Sequence, residues 1–185
     1  MIGVYTGPRH AGKTTRLAAL CREWRAAGRR VDGFLSPAVR DGKDGEPAGY
    51  DLFEIKTEIA RPFLRREGLP EARRTSREGP DGERIGPWRV LPDGLARARE
   101  IIRLAPPDAL LVVDEFGPLE LRGGGVRREF DEALRAPGRR VLVVVREALR
   151  GAFLETYGAA DTKIYEAYQP GAGEDLTRDL FGGTE

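Results

Sequence analysis

The chain has 185 residues, 40% of them hydrophobic and 33% charged, which is typical of one globular domain, residues 1–185, with a sizeable core. A formal net charge of +1 gives no overall electrostatic attraction to nucleic acid or to an anionic membrane. The single cysteine, Cys21, excludes an internal disulfide and a cysteine-based zinc site. The N-terminus carries no targeting pattern and no apolar run approaches the length of a membrane span, so we expect a cytoplasmic protein.

The first elements along the chain are a short apolar strand at 2–6 and a helix from about Lys13 to Ala27. Between them lies the stretch GPRHAGKTT. It contains the pattern G-x-x-x-x-G-K-[ST], which is typical of a phosphate-binding loop. The pattern is met by Gly7, Gly12, Lys13 and Thr14.

The chemistry of phosphate binding explains this spacing. Glycines let the loop fold tightly, so that successive backbone N–H groups point at one anion, and the helix N-terminus adds its positive dipole end. Lys13 can reach the β- and γ-phosphates, the Thr14 hydroxyl can bind Mg²⁺, and Thr15 can add a contact to the α-phosphate. His10, the only histidine, is interpreted as an exposed loop residue. The predicted nucleotide-binding residues are therefore Gly7, Pro8, Arg9, His10, Ala11, Gly12, Lys13, Thr14 and Thr15.

The middle of the chain predicts two extended runs, at 31–39 and 49–55, which form a β-hairpin or a pair of adjacent strands. The segment 65–86 is polar and rich in arginine and is predicted to be a long surface loop. Its arginines can close over bound phosphates as a lid, whereas its interleaved acids favour a solvated loop. These arginines are Arg65, Arg66, Arg73, Arg74, Arg77 and Arg84.

The second half alternates between helical and extended patterns. Residues 109–113 and 141–145 are wholly apolar, which is typical of central strands in a parallel sheet covered by helices on both faces. Helices are predicted at 95–105, 126–136 and 174–181, and a last strand at 162–168. The prediction is a three-layer α/β fold whose sheet is mainly parallel and carries a β-hairpin insertion.

Two acids, Asp114 and Glu115, end the apolar strand at 109–113. An acid in that position typically faces Mg²⁺ through bound water, which makes Asp114 the second predicted metal residue beside Thr14. Glu115 can orient or deprotonate an attacking water. Arg146 follows the other apolar strand and either stabilises charge on the transferring phosphoryl group or is a surface arginine.

Other polar and aromatic residues are weaker candidates. Glu120 and Arg122 are candidates for side chains that contact the acidic pair without touching the ligand. Trp24 falls at helical spacing with Cys21, and we predict that both pack in the core. Trp88 can stack on a base or pack against the fold, and packing is the preferred interpretation.

Taken in order, these motifs resemble the THEP-type, or cancer-related, P-loop nucleoside-triphosphatase family. The resemblance rests on GPRHAGKTT, VDGFLSPAVRDG with AGYDL, IGPWRVLPDGLARA, VVDEFGPLEL, VLVVVR and TKIYEAY. It implies a RecA-like P-loop fold and Mg²⁺-dependent hydrolysis of nucleoside triphosphates such as ATP or GTP, with loose base preference. It also implies binding roles for residues 7–15 and for the strand around Asp114.

The sequence leaves two other functions open. One is a small-molecule or nucleotide kinase, which needs an acceptor pocket and a lid that excludes water. The other is a nucleotide-binding adapter with weak turnover of its own. A triphosphatase is the leading interpretation, with Lys13, Asp114, Glu115 and Arg146 as the predicted catalytic residues.

Overall fold

A computed structural model describes residues 1–40, 47–67 and 84–182. The strands are β1 (Ile2–Gly7), β2 (Val31–Leu35), β3 (Ala38–Arg40), β4 (Pro47–Glu54), β5 (Ala60–Arg66), β6 (Arg84–Ile85), β7 (Trp88–Val90), β8 (Leu110–Asp114), β9 (Arg140–Arg146) and β10 (Thr162–Glu166). The helices are α1 (Lys13–Ala26), α2 (Pro92–Leu104), α3 (Pro118–Leu121), α4 (Arg127–Leu134), α5 (Arg150–Tyr157) and α6 (Ala172–Phe181).

The strands of the described residues form one sheet in the order β10-β1-β9-β8-β2-β4-β5-β7-β6, with β3 paired to β4. From β10 to β2 every neighbouring pair is parallel. The loop-bearing strand β1 is therefore separated from the acid-bearing strand β8 by β9. Parallel strands end at the same sheet edge, so the ends of β1, β8 and β9 meet there.

Helices cover both faces of the parallel part of the sheet, as the sequence predicts. On one face α1 and α6 pack on alternate residues of the central strands, with Cys21 and Trp24 buried among them. On the other face α2, α4 and α5 pack on the intervening residues of the same strands. The central strands are apolar on both faces because both faces are buried. Trp24 also donates a hydrogen bond from Nε1 to Thr177 Oγ1 at 2.8 Å.

The insertion is larger than the predicted hairpin. Strand β4 is antiparallel to β2 and to β3, and β5, β7 and β6 continue the sheet beyond it in antiparallel pairs. This confirms the paired strands expected around 31–55. The sequence did not predict three strands, β5, β6 and β7, which extend the sheet beyond β4.

The prediction of a loop over 65–86 is wrong at both ends of that segment, where the structure has strands. Arg65 and Arg66 lie in β5 and Arg84 lies in β6. Arg65 is buried because its Nη2 contacts Asp51 Oδ1 at 2.6 Å and its Nη1 donates to the Tyr50 carbonyl at 3.0 Å. The rest of the segment, which includes Arg73, Arg74 and Arg77, lies outside the described residues.

The sequence also missed α5 and the short α3. Helix α5 follows a 3-10 turn at Glu147–Leu149 and buries Phe153 against the sheet. Across the described ranges, none of the helices has both the length and the apolar character needed to cross a membrane.

Candidate nucleotide-binding site

The loop between β1 and α1 has the shape of an anion cradle. Strand β1 is buried throughout, and α1 begins at Lys13, directly after Gly12 at its N-cap. Gly12 adopts a left-handed conformation with φ 72°, which favours glycine. Since Gly12 has no side chain to cap the helix, the first-turn N–H groups are left for an anion.

The Lys13 side chain folds back over this loop. Its Nζ donates to the carbonyls of Gly7 at 2.9 Å and Pro8 at 2.7 Å. The side chain is buried, and burial lowers the pKa of its ammonium group, while the nearby carboxylates of Glu115 and Asp114 act in the opposite direction. The ammonium group thus lies inside the cradle and is held by weak neutral acceptors that an anionic ligand can replace.

Asp114 ends β8 and is buried beside the first turn of α1. Its carboxylate accepts a hydrogen bond from the Thr14 side chain and one from the Ser36 N–H at 3.1 Å. Burial, followed by the neighbouring charge of Glu115, raises the pKa of Asp114 to about 6, while the bonds from Ser36 and Thr14 lower it. The two predicted metal residues, Thr14 and Asp114, are therefore adjacent in the structure.

Ser36 was not found from the sequence. Besides its N–H, its hydroxyl donates to the Asp114 carbonyl, so it contacts Asp114 twice. It lies directly after β2, which pairs with β8. The sequence offers only a serine inside the extended run predicted at 31–39, and its contact with Asp114 depends on the strand order.

Glu115 and Arg146 form an ion pair at the same edge of the sheet. The Arg146 Nε lies 2.7 Å from Glu115 Oε1, and the side chains are 39% and 24% exposed respectively. Arg146 is placed beside the cradle because it pairs in register with Gly7 at the ends of β9 and β1.

Glu120, a weaker candidate, is buried behind this edge. Its Oε2 accepts the Gly117 N–H at 2.9 Å, and burial raises the pKa of its carboxyl group. These contacts support the turn that follows Glu115. Arg122 lies outside the lining of the cavity described next.

The site opens into a cavity of about 770 Å³. Its lining includes the cradle from Arg9 to Thr15 together with Asp114, Glu115 and Arg146. His10 is exposed, as predicted, and adopts φ 65°. The predicted metal and catalytic residues and the binding residues from Arg9 to Thr15 thus share one cavity, whereas the predicted binding residues Gly7 and Pro8 are not part of its lining.

The cavity also extends over the antiparallel part of the sheet. The lining there and on the adjacent β2 includes five aromatic side chains: Phe34, Tyr50, Phe53, Phe63 and Trp88. Trp88 is 9% exposed and packs edge-on against Tyr50, with ring centroids 5.2 Å apart. This agrees with the prediction that Trp88 packs against the fold.

The donor atoms at the cradle suit a hard divalent cation shared with a phosphate ligand. Mg²⁺ binds proteins through one or two oxygen ligands and completes its shell with phosphate oxygens and water. The adjacent hydroxyl of Thr14 and carboxylate of Asp114 provide such oxygens. In the part of the chain that the structure describes, this site included, no group of three or more His, Cys, Asp or Glu side chains is arranged to hold a metal ion.

A phosphate cradle between a buried strand and a helix, facing an acid at the end of another parallel strand, defines a P-loop nucleotide-binding protein. Residues 3–170 match the family model described as NTPase. The nucleoside-triphosphatase THEP1 of Hyperthermus butylicus is 32% identical over 151 residues, covering 82% of this chain and 74% of the relative. This chain belongs to the NTPase family.

Two solved structures share the fold. The solution structure of a human cancer-related nucleoside triphosphatase has a TM-score of 0.69 and 24% identity, and the likeness covers 98% of each chain. The crystal structure of THEP1 from the hyperthermophile Aquifex aeolicus has a TM-score of 0.64 and 18% identity, covering 98% of this chain and 99% of that one. These likenesses confirm the expected P-loop α/β architecture.

Proposed function

We propose that this protein is a Mg²⁺-dependent phosphohydrolase that converts nucleoside triphosphates to diphosphates and phosphate. Membership of the NTPase family supports this assignment. The observation that carries it is the convergence of Thr14, Asp114, Glu115 and Arg146 on the phosphate cradle. The continuous sheet also supports treating residues 1–185 as one domain.

In this proposal the cradle binds the triphosphate through backbone and charge. The free N–H groups at the start of α1 bind phosphate oxygens, and the helix dipole favours their negative charge. Lys13 exchanges its bonds to the Gly7 and Pro8 carbonyls for charge-assisted bonds to the β- and γ-phosphates. Because the ammonium group is already buried at the site, phosphate binding needs little further removal of water from it.

Thr14 and Asp114 are the residues that would hold Mg²⁺. When bound, the ion would neutralise charge on the β- and γ-phosphate oxygens. Ser36 positions Asp114, since its N–H and hydroxyl both bind that residue. Loss of Ser36 would therefore weaken the metal site without removing a ligand.

Glu115 is the proposed general base. The oxygen of a water molecule attacks the γ-phosphorus, the bond from that phosphorus to the β-phosphate bridging oxygen breaks, and the water proton passes to Glu115. Arg146 contacts one carboxylate oxygen of Glu115, so the other can accept a hydrogen bond from the water. The Arg146 guanidinium can also turn to the γ-phosphate and stabilise the negative charge that develops on the transferring phosphoryl group.

A second candidate is phosphoryl transfer to an acceptor other than water. The extension of the cavity over β4, β5 and β7 favours it, because Phe34, Phe63 and Trp88 give it an apolar, aromatic wall that a triphosphate tail does not need. In this case an acceptor hydroxyl would replace water at Glu115. The two candidates share every residue of the cradle.

Phosphate release in the absence of an acceptor separates the two candidates. We expect release from ATP, GTP, CTP and UTP with Mg²⁺ and little release with a chelator. Adding a panel of nucleosides, nucleotides and sugars should leave the rate within twofold. Negligible phosphate release, with nucleoside diphosphate and a phosphorylated acceptor formed only when one of these acceptors is present, would contradict hydrolysis and support transfer.

A further inference from the structure

Among the described residues, four large hydrophobic side chains are more than 40% exposed: Ile59, Leu104, Ile164 and Tyr168. Tyr168 is the one aromatic residue of this group and is 50% exposed. It lies two residues after the end of β10, next to the start of the cradle. A Cβ built on Gly7 would lie 3.6 Å from the Cδ1 atom of Tyr168.

The fold shows which end of a bound triphosphate would face Tyr168. Thr14 bonds Asp114 on the β8 side of β1, whereas Arg16, two residues further on, donates from Nη1 to the Ala167 carbonyl on the β10 side. A γ-phosphate placed at Asp114 would direct the α-phosphate and nucleoside toward β10. The Ala167 N–H bonds the Thr6 carbonyl at 2.8 Å and fixes this loop to β1.

The Tyr168 ring is held in place before any ligand binds. Its hydroxyl donates to Glu166, whose carboxylate also accepts the Gln169 Nε2 at 2.9 Å. Arg150 contacts the other oxygen of Glu166 at 3.0 Å. An exposed ring fixed at its hydroxyl loses little further side-chain entropy when a planar group stacks on its face.

We propose that Tyr168 is the nucleobase platform of this site and stacks on the base of the bound triphosphate. Stacking on an aromatic face is available to every base, so it accepts purines and pyrimidines with modest preference for the larger ring. This inference rests on the proposed function, because it places the base by the direction of the triphosphate. It adds a nucleoside subsite that the cradle motif does not contain.

The test compares ligands with and without a base. Dissociation constants for ATP, GTP, CTP and UTP, and for inorganic tripolyphosphate, are measured by equilibrium dialysis with a chelator, so that the nucleotides are not hydrolysed. The proteins compared are the wild type, Tyr168→Ala, Tyr168→Phe and Ile164→Ala. Ile164 is the matched control, since it is an exposed apolar residue of β10 itself. Turnover of the four nucleotides is measured in parallel.

We expect Tyr168→Ala to raise the dissociation constants of the nucleotides about tenfold, a loss that corresponds to ordinary base stacking. The dissociation constant of tripolyphosphate should stay within twofold of the wild-type value. Tyr168→Phe keeps the ring and should stay within threefold, and Ile164→Ala should match the wild type. Unchanged nucleotide binding in Tyr168→Ala, or an equal loss of tripolyphosphate binding, would contradict the proposal that Tyr168 stacks on the base. A wild type that binds nucleotides through Tyr168 but releases no phosphate would contradict the proposed hydrolysis and support the platform.

Discussion

The Arg146 guanidinium and the Glu115 carboxylate form an ion pair of 2.7 Å where β9 and β8 end. Both side chains are partly exposed, so water and a bound phosphate can reach the pair. A γ-phosphate beside it offers Arg146 a second anion and competes with Glu115 for the guanidinium. The proposed base and the proposed phosphate-binding arginine therefore act as a coupled pair.

Replacing Glu115 by glutamine should separate binding from turnover. The amide keeps the size of the side chain but cannot accept a proton, so kcat should fall about 100-fold or more, while the dissociation constant for ATP stays within threefold. Steady-state phosphate release with Mg²⁺ measures kcat, and equilibrium dialysis with a chelator measures the dissociation constant. Glu23→Gln, a change at an exposed site on α1, should leave both unchanged. Wild-type turnover in Glu115→Gln would remove Glu115 as the base.

Arg146→Ala should lower kcat about 100-fold, with a smaller effect on KM, because the guanidinium stabilises charge that develops during the reaction. The double variant with Glu115→Gln should lose less than the product of the single losses, since each residue acts partly through the other. Arg128→Ala, which removes an arginine from an exposed ion pair on α4, is the control. An effect on KM alone would limit Arg146 to binding.

Lys13→Ala should abolish measurable binding of ATP and of inorganic tripolyphosphate. The variant removes the buried ammonium group and its bonds to the Gly7 and Pro8 carbonyls. Thermal unfolding without ligand tests whether the loop itself survives, and we expect a shift of only a few degrees. Lys56→Ala, at an exposed position, should bind as the wild type does. Retained tripolyphosphate binding in Lys13→Ala would show that the backbone cradle suffices.

Glu120→Ala tests a structural role. The variant leaves the buried N–H of Gly117 without its acceptor, which should lower the free energy of unfolding by about 1–3 kcal/mol. Urea unfolding followed by circular dichroism measures the change, with Glu155→Ala on the exposed face of α5 as control. Unchanged stability together with a large loss of kcat would place Glu120 in the chemistry instead.

Cys21 should be inert in the native protein. Burial raises the pKa of its thiol to about 12, and the nearby Asp114 carboxylate adds to the effect. A disulfide reagent at pH 8 should modify one thiol per chain in denaturant and react at least 100-fold more slowly in buffer. Because the folded pKa lies above the unfolded one, the stability that this thiol contributes is complete below about pH 8.5 and lost as pH rises toward 12. Fast native labelling would contradict this burial.

The sequence predicted those parts of the site that depend on residues close together along the chain. The cradle is contiguous, and the two wholly apolar strands that end at Asp114 and Arg146 indicate their place at one sheet edge. Ser36 could not be assigned because its contact with Asp114 depends on β2 pairing with β8. Strand β5 was missed because ARPFLRR reads as polar, and Arg65 is buried only through its contacts with β4.

Hydrolysis in water enriched in ¹⁸O tests the central proposal most directly. With Mg²⁺, ATP and no acceptor, we predict that each phosphate released in one turnover carries one oxygen from the solvent, and that Glu115→Gln forms this product about 100-fold more slowly. Mass spectrometry of the phosphate measures the label. Phosphate that forms without solvent oxygen, or a phosphorylated acceptor in place of free phosphate, would contradict attack by water at this site.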